Sequence, residues 1–250
     1  MYHSLAPYYK EIFPLKEMAL SFVRSFLKKT PARVLDVGCA VGQLAVTLAR
    51  DGHEVTGIDL DAGLIKIARK DAAIHGIKIN FEIMNMVEIA ANFPAHSFDI
   101  VLCLGNTLVH LLSLEEIGEF IKKVSGLLKK DGVFIVQVVN YDQVLVKGIS
   151  QLPVIDTEHV RFERHYIYDK GKHKIHFRTT LTVKKNMAKF EDEVLLYPLT
   201  QSEFDLLLKK AGFNKVGYFG DFSAREYTTG SPALIAVSEW PMAVNIPDCE

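Results

Sequence analysis

The sequence predicts an α/β protein with a doubly wound, mostly parallel, seven-stranded sheet that carries an antiparallel β insertion after the fifth strand. Residues 33–139 alternate short β-rich runs with helical patterns, which favours right-handed crossovers and parallel pairing. Residues 160–196 instead alternate side-chain character around turn residues, as antiparallel strands do. From residue 198 onward, a helical pattern and two further β-rich runs complete the sheet.

Length and composition agree with this fold class. The chain has 250 residues, of which 49% are hydrophobic and 24% charged, a mix typical of a globular protein with a large core. We expect three parts: an N-terminal lid and helix at 1–30, a ligand-binding α/β domain at 31–149 and 198–250, and the insertion at 150–197 as a substrate cover.

Charge and cysteine content argue against several other classes. Lys and Arg number 29 against 30 Asp and Glu, a formal net charge of -1, so no global field attracts nucleic acid or an anionic membrane. Cys39, Cys103 and Cys249 are odd in number, which suits a reducing compartment. The N-terminus lacks a signal-peptide pattern and no apolar run approaches the ~20 residues that span a bilayer, so we expect a cytoplasmic protein.

Strand positions follow from β-branched and aromatic runs, several of them apolar on both faces as in central parallel strands. The predicted parallel strands are residues 33–37, 54–59, 78–84, 98–103 and 133–139. Residues 216–219 and 232–237 are predicted to close the sheet.

The clearest helix covers residues 114–130, where apolar side chains recur at helical spacing. Ser113 and Glu116 are predicted to form a capping box at its start, and Asp131-Gly132 supplies the stop.

Three other segments complete the pattern. Thr200 and Glu203 form a second predicted capping box, which opens a helix that ends at residues 211–212. Residues 15–29 are predicted as an amphipathic helix, and the aromatic segment 2–13 before it is interpreted as a lid.

A hairpin is predicted within the insertion, with a turn at 169–172 between extended runs at 166–168 and 174–183. His173 and His176 lie there at a spacing of three, which on a strand points them to opposite faces, so we expect no metal site.

The turn after the first predicted strand carries glycines at Gly38 and Gly42 and opens a helix. Small residues there let a ligand approach backbone N–H groups at a positive helix end. About 20 residues on, the second strand finishes with Asp59, where a carboxylate can accept hydrogen bonds from a ribose diol. The pair predicts an adenosine-type cofactor; the alternative is that the glycines only tighten a turn and Asp59 caps the next helix.

Detail within this turn selects the cofactor. The spacing of Gly38 and Gly42 does not fit the G-x-G-x-x-G fingerprint that places a pyrophosphate on a helix N-terminus. Asp36 precedes the first glycine by two residues, where it would repel a pyrophosphate but attract a cationic amino group. This favours S-adenosylmethionine, whose methionine end carries an ammonium.

These motifs resemble those of the class I S-adenosylmethionine-dependent methyltransferases, over nearly the whole chain. The resemblance rests on Leu35-Asp-Val-Gly-Cys-Ala-Val-Gly, Gly57-Ile-Asp-Leu-Asp and Phe98-Asp-Ile-Val-Leu-Cys, and it implies a Rossmann-like methyltransferase fold. Two positions depart from the family pattern: Ala40 stands where a glycine is usual and Asn85 where an aspartate is usual. The resemblance implies that the cofactor is bound by Asp36, Gly38, Ala40, Gly42, Asp59, Leu60, Asn85, Met86 and Leu104.

Within this family the chain is similar to the glycine N-methyltransferase branch. That similarity rests on Leu104-Gly-Asn-Thr with a spaced His110-Leu, on Asn140-Tyr-Asp and on Tyr197-Pro198. It implies N-methylation of an amine in a small polar acceptor. Its implied substrate residues are Asn106, His110, Tyr197 and Tyr9. For His110 a hydrogen-bonded structural role is an equal alternative, and Asn140 and Tyr141 are alternatively the end of the fifth strand.

No residue is assigned as a general base, because methyl transfer depends mainly on alignment and an amine proton can leave to solvent. Two rival functions stay open: a non-catalytic S-adenosylmethionine-binding regulator, and an RNA methyltransferase. The latter needs a basic stripe, for which the candidates are Arg161, Arg164, His165, Lys170, Lys172 and Lys174. The sequence fixes neither the acceptor nor the oligomeric state.

Overall fold

The structure is a computed structural model that describes residues 2–240. Met1 and residues 241–250 lie outside the described residues, and with them Cys249 and the last part of the expected 198–250 segment. The side chains of Tyr2 and His3 are likewise outside the description.

A seven-stranded sheet forms the centre of the molecule, as predicted. Its strands are β1 (Arg33–Val37), β2 (Glu54–Asp59), β3 (Asn80–Ile83), β4 (Phe98–Cys103), β5 (Leu128–Val139), and, later in the chain, two closing strands at Lys215–Phe219 and Ala233–Glu239. The strands β1 to β5 pair in parallel. The closing strand Ala233–Glu239 pairs antiparallel with β5 on one side and with Lys215–Phe219 on the other.

The predicted antiparallel insertion is a separate four-stranded sheet. Its strands are β6 (Ile155–Asp156), β7 (Val160–Asp169), β8 (Lys174–Val183) and β9 (Ala188–Leu196), hydrogen-bonded in that order. The two closing strands are therefore β10 (Lys215–Phe219) and β11 (Ala233–Glu239), and the large sheet has the order β10-β11-β5-β4-β1-β2-β3.

Helices connect the strands and precede the first one. They are α1 (Tyr2–Leu5), α2 (Tyr9–Ile12), α3 (Glu17–Arg24), α4 (Gln43–Arg50), α5 (Ala62–Ile74), α6 (Ile89–Asn92), α7 (Leu114–Leu127), α8 (Tyr141–Lys147) and α9 (Gln201–Lys210). In the described part of the chain, no helix is long and apolar enough to cross a membrane.

The large sheet is buried on both faces, as a doubly wound fold requires. Successive residues of β1 illustrate this: Val34 packs with α3, α4 and α5, whereas Leu35 packs with α7 and α9. Both side chains are fully buried. The ends of the parallel strands are thereby held rigidly, and the loops that follow them form the candidate site.

The predicted helix at 114–130 was wrong at its end, because α7 stops at Leu127. Leu128 is fully buried and already pairs with Phe98 of β4, so burial of this side chain draws the backbone into the sheet. The expected stop at Asp131-Gly132 lies inside β5, where Asp131 has a φ of 58°.

Smaller features also differ, and among them the fifth strand begins at Leu128 and not at residue 133. The expected helix at 15–29 covers only Glu17–Arg24, and the third strand only Asn80–Ile83. Ser113 accepts the Glu116 N–H, but the Glu116 carboxylate returns to the N–H of Leu112, so the expected capping box is half formed. The second box, between Thr200 and Glu203, is complete as predicted.

Candidate functional site

The turn after β1 runs through left-handed backbone. Gly38 has a φ of 74° and Ala40 a φ of 50°. The N–H groups of Gly38 and Cys39 donate to the carbonyl of Ile58 at 2.8 and 3.0 Å, which ties the turn to β2. A Cβ at Gly38 would lie 2.5 Å from the Thr107 side chain, so this position combines left-handed geometry with close packing.

Asp59, at the end of β2, is hydrogen-bonded to the same turn. Its Oδ2 accepts the Ala40 N–H at 2.9 Å and its Oδ1 accepts the Asp61 N–H at 2.9 Å. Burial raises the pKa of Asp59, and these two N–H donors oppose that rise. The N-cap of α5 is Asp61 and not Asp59, because the Asp61 Oδ1 accepts the N–H groups of Gly63 and Leu64.

The loop after β3 faces this carboxylate across a cavity. Asn85 accepts the Val87 N–H at 3.2 Å through its side-chain oxygen, and Met86 begins a 3₁₀ turn. Leu60, which follows Asp59, leaves 68% of its side chain exposed at the rim.

The cavity has a volume of about 310 Å³. It brings together six of the residues predicted to bind the cofactor: Gly38, Ala40, Asp59, Leu60, Asn85 and Met86. Tyr9 and His110, from the predicted substrate set, also line it. We call this the first cavity.

A second cavity, of about 560 Å³, adjoins the first and shares Tyr9, Gly38 and Ala40 with it. Asp36 and Leu104, also predicted to bind the cofactor, line this second cavity. Its walls therefore combine the ends of β1 and β4 with parts of the N-terminal segment and the insertion.

Asp36 is the buried acid of the second cavity, with only 4% of its surface exposed. Burial, followed by the charge of Asp59, raises the pKa of Asp36 to about 7. A carboxyl in this state gains from a cation placed beside it, because a nearby positive charge favours the ionised form.

Polar contacts fasten the N-terminal segment over both cavities. The Gln43 side chain donates to the Phe13 carbonyl at 2.9 Å and accepts the Leu15 N–H at 3.3 Å. Glu11 accepts the His159 N–H at 3.1 Å, which joins the segment to the small sheet. The expected lid is therefore linked to both α4 and the insertion.

Gly42 lies outside the walls of both cavities and serves packing. Its φ is 73°, and a Cβ there would meet the Phe81 ring at 2.6 Å. The second glycine of the turn thus permits the start of α4 to approach β3.

Asn106 also lies outside both cavities, although its neighbours Thr107 and Gly105 line them. Its side-chain Oδ1 accepts the Val139 N–H at 2.9 Å, and its Nδ2 donates to the Tyr141 hydroxyl at 3.0 Å. Asn106 therefore joins the loop after β4 to the end of β5.

Tyr197 is buried in the main core and does not line either cavity. Its hydroxyl donates to Glu203 at 3.0 Å. Burial, with a smaller contribution from Glu203, raises the pKa of Tyr197. Its position links the end of the insertion to the start of α9.

His110 lies in a short 3₁₀ turn and is partly buried against the first cavity. Burial lowers the pKa of His110, which favours the neutral imidazole. His110 thus lines the first cavity, whereas Asn106 and Tyr197 line neither cavity.

Sequence reasoning missed four polar residues of the second cavity and its cover: Lys16, Gln43, Gln137 and Arg164. Gln43 and Gln137 carry no motif, and Arg164 was considered only as part of a basic stripe. The stripe is divided in the structure, because Arg161 and His165 alternate with Arg164 along β7 and so face the opposite side of the sheet. Within residues 2–240, no cluster of His, Cys, Asp and Glu could hold a metal ion.

Comparisons with known proteins agree with this geometry. A family model described as "Methyltransferase domain" matches residues 34–132. A Geobacillus sp. (strain WCH70) protein named "Putative methyltransferase" is 30% identical over 81% of this chain and 84% of its own length. A ubiquinone biosynthesis O-methyltransferase of Xanthomonas euvesicatoria pv. vesicatoria (strain 85-10) is 34% identical over 52% of this chain and 53% of its own length.

Solved structures have the same fold. An S-adenosylmethionine-dependent methyltransferase from Clostridium acetobutylicum ATCC 824 superposes with a TM-score of 0.82 at 16% identity, covering 96% of this chain and 99% of that one. A sugar N-methyltransferase from Streptoalloteichus sp. ATCC 53650 gives a TM-score of 0.69 at 13% identity, covering 97% and 93%. The glycine turn, the acid after β2, the sheet order and these relatives together lead to one conclusion: the chain belongs to the class I S-adenosylmethionine-dependent methyltransferases.

Proposed function

We propose that the protein methylates an amine nitrogen of a small polar acceptor, with S-adenosylmethionine as the methyl donor. One observation carries the proposal: two adjoining cavities share Gly38, Ala40 and Tyr9. The first has the features of an adenosine site, and the second opens where the reactive end of a bound cofactor would face an acceptor.

The residues of the first cavity fit the adenosine part of the cofactor. Asp59 has carboxylate lone pairs left after its two backbone bonds, and these would accept from the ribose hydroxyls. Asn85 would accept from the adenine amino group, and the Met86 N–H would donate to a ring nitrogen. The exposed Leu60 would cover one face of the ligand.

The methionine end would extend into the second cavity. There the Asp36 carboxylate would pair with the cofactor ammonium, which offsets the burial that raises its pKa. Leu104 would border the ligand, and Gly42 would support the turn without contact. Gly38 belongs to the wall that both cavities share, and a side chain there would crowd this wall, because its Cβ would lie 2.5 Å from Thr107.

Bound S-adenosylmethionine supplies an electrophilic methyl group on a sulfonium leaving group. The chain contributes alignment and exclusion of water, which are the main requirements of such a transfer. We propose the N-terminal segment (1–30) and the insertion (150–197) as the cover and the remainder as the cofactor-binding domain. Gln43 and Glu11 would hold this cover closed.

On the acceptor side, we assign contacts to Tyr9, which lines both cavities, and to His110, which would meet the acceptor's amine at the border of the first cavity. Asn106 would act as a positioning residue through Val139 and Tyr141. Tyr197, with its hydroxyl on Glu203, would act only through the core.

Nitrogen is favoured over oxygen as the methylated atom for two reasons. An ammonium group can lose its proton to solvent and become nucleophilic without a dedicated base, whereas a hydroxyl needs a base to become a comparable nucleophile, and no base is assigned here. A sugar N-methyltransferase and an amino pentose methyltransferase are also among the solved structures that share this fold.

A screen for S-adenosylhomocysteine production tests the proposal. The panel contains pure small amines, alcohols and carboxylic acids, and a structured RNA. The proposal expects turnover with one or more amines. Turnover with RNA alone, or tight S-adenosylhomocysteine binding without turnover of any amine, would refute it in favour of an RNA methyltransferase or a regulator.

A further inference from the structure

A cation without a carboxylate partner lines the second cavity. Arg164 lies in β7, and its Nη2 donates to the Pro153 carbonyl at 2.7 Å. Its Nε is buried and has no hydrogen-bond partner among the described residues. No described carboxylate forms a salt bridge with this guanidinium. A buried donor without a partner costs free energy, so it marks a position where a ligand atom would be stabilised.

The orientation of Arg164 follows from strand alternation. Val160, Phe162 and Tyr166 share its face of β7, and all three are buried. Arg164 is therefore on the inner, apolar face of the small sheet, and its guanidinium carbon lies 5.8 Å from the centre of the Phe162 ring.

The other arginines of this sheet differ in this respect. Arg161 faces outward and pairs with Asp156 and Glu163, and Arg178 pairs with Glu193 at 2.5 Å. Arg164 alone of the three is directed inward and lacks such a partner.

Acids near Arg164 do not replace a ligand. Asp192 occupies the same cross-strand row, but Thr179 of β8 stands between the two residues. Two strand spacings, about 10 Å, therefore separate them. Asp36, across the second cavity, is assigned to the cofactor ammonium.

We infer that the methyl acceptor carries an anionic group, a carboxylate or a phosphate, which Arg164 binds. This inference rests on the proposed function, because it names the class of acceptor for the second cavity. A guanidinium suits either anion, since its N–H groups can bind two oxygens at once. The acceptor would then span from Arg164 to the shared wall at Gly38 and Ala40, with its amine toward the cofactor.

The test uses pairs of amines that differ in charge: glycine with glycinamide, phosphoethanolamine with ethanolamine, and glucosamine 6-phosphate with glucosamine. Calorimetry measures their binding to the full-length protein saturated with S-adenosylhomocysteine, and a separate assay measures methyl transfer. We expect one or more anionic members to bind at least tenfold more tightly than the neutral partner. The pair that responds distinguishes carboxylate from phosphate.

Arg164→Gln should abolish this preference, because the affinity for the anionic amine should fall by about tenfold to a hundredfold. Arg164→Lys should restore part of it, and Arg178→Gln is the matched control that should leave it unchanged. S-adenosylhomocysteine affinity, measured in each variant, verifies that the cavities are intact.

Three results would overturn the inference. The first is that no anionic amine binds better than its neutral partner. The others are that Arg164→Gln keeps the preference for the anionic amine, or that it lowers the affinity for S-adenosylhomocysteine instead. Methyl transfer to neutral amines with no charge preference would refute the inference but leave the proposed function standing. Anion binding through Arg164 without methyl transfer to any amine would refute the proposed function, and Arg164 would then bind an anion that is not the acceptor.

Discussion

The carboxylate of Asp59 accepts the backbone N–H of Ala40 at 2.9 Å, which joins the two halves of the cofactor motif. One residue ends β2 and the other stands in the left-handed turn after β1. The acid that is proposed to hold the ribose therefore also fixes the turn beside it. Loss of Asp59 should disturb binding and the turn together.

Asp59→Ala is expected to weaken S-adenosylhomocysteine binding by about 1.5–3 kcal/mol, the range for hydrogen bonds to a charged group. It should also lower the free energy of unfolding, since the N–H groups of Ala40 and Asp61 lose their acceptor. Calorimetry and urea unfolding measure the two effects. Asp51→Ala, at an exposed ion pair with Arg24, is the control; equal cofactor affinity in both variants would contradict the ribose role.

The buried acid Asp36 predicts a pH dependence of cofactor binding. Its pKa is raised to about 7, so the carboxyl is mostly protonated at pH 6 and ionised at pH 8. If the ionised form pairs with the cofactor ammonium, affinity should rise with pH, by up to about tenfold per unit below pH 7, and level off above it. Calorimetry between pH 5.5 and 8.5 measures this, and Asp36→Asn should flatten the curve.

The same acid affects stability in the opposite direction. The pKa of Asp36 is about 7 in the folded protein, above its ordinary value of 3.8. Protonation of Asp36 therefore adds to the free energy of unfolding, and this contribution is fully present below pH 3.8 and is lost as the pH rises through about 7. Asp36→Asn should therefore stabilise the cofactor-free protein more at pH 8 than at pH 5.5. An identical gain at both pH values would show that Asp36 is not buried in a charged state.

Ala40 has a φ of 50°, which costs a residue with a Cβ about 1 kcal/mol or more relative to glycine. We expect Ala40→Gly to raise the melting temperature and to retain cofactor binding. Gly38→Ala is the matched opposite, because its new Cβ would lie 2.5 Å from Thr107 in left-handed backbone. A destabilised Ala40→Gly would mean that the methyl contributes packing that outweighs its strain.

Asn106 joins the loop after β4 to β5, and its removal should affect the acceptor more than the cofactor. Asn106→Gly deletes the side chain without strain, because the φ of this residue is 70°. The Val139 N–H then loses its hydrogen-bond partner, which should cost about 1–3 kcal/mol in the free energy of unfolding. The KM for the acceptor should rise while S-adenosylmethionine affinity stays nearly constant. Asn106→Asp keeps an acceptor oxygen and should preserve stability; loss of cofactor binding in either variant would refute the positioning role.

Most residues that line the first cavity could be predicted from the sequence, because their positions depend on local features. Asp59 follows from strand length and spacing, and Gly38 from the need for a turn without a side chain. The same spacing did not reveal that Gly42 packs on Phe81 instead of facing a ligand, since that contact joins α4 to a distant strand.

The walls of the second cavity were less predictable because they depend on how two sheets meet. The resemblance implies acceptor contacts for Asn106 and Tyr197, yet both lie outside the walls of the two cavities. Arg164 enters the second cavity only because β7 turns that residue inward, and strand alternation alone cannot say which face is inner. Helix α7 ended early for a similar reason, as Leu128 already pairs with β4.

The most direct test of the central claim is NMR of the product formed with S-adenosylmethionine that carries a ¹³C-labelled methyl group, in an extract that contains both small metabolites and RNA. The account predicts a new labelled methyl resonance bonded to nitrogen in a small molecule, absent when Asp59→Ala replaces the native protein. A label bonded to oxygen or recovered in RNA, or no labelled product at all, would contradict it.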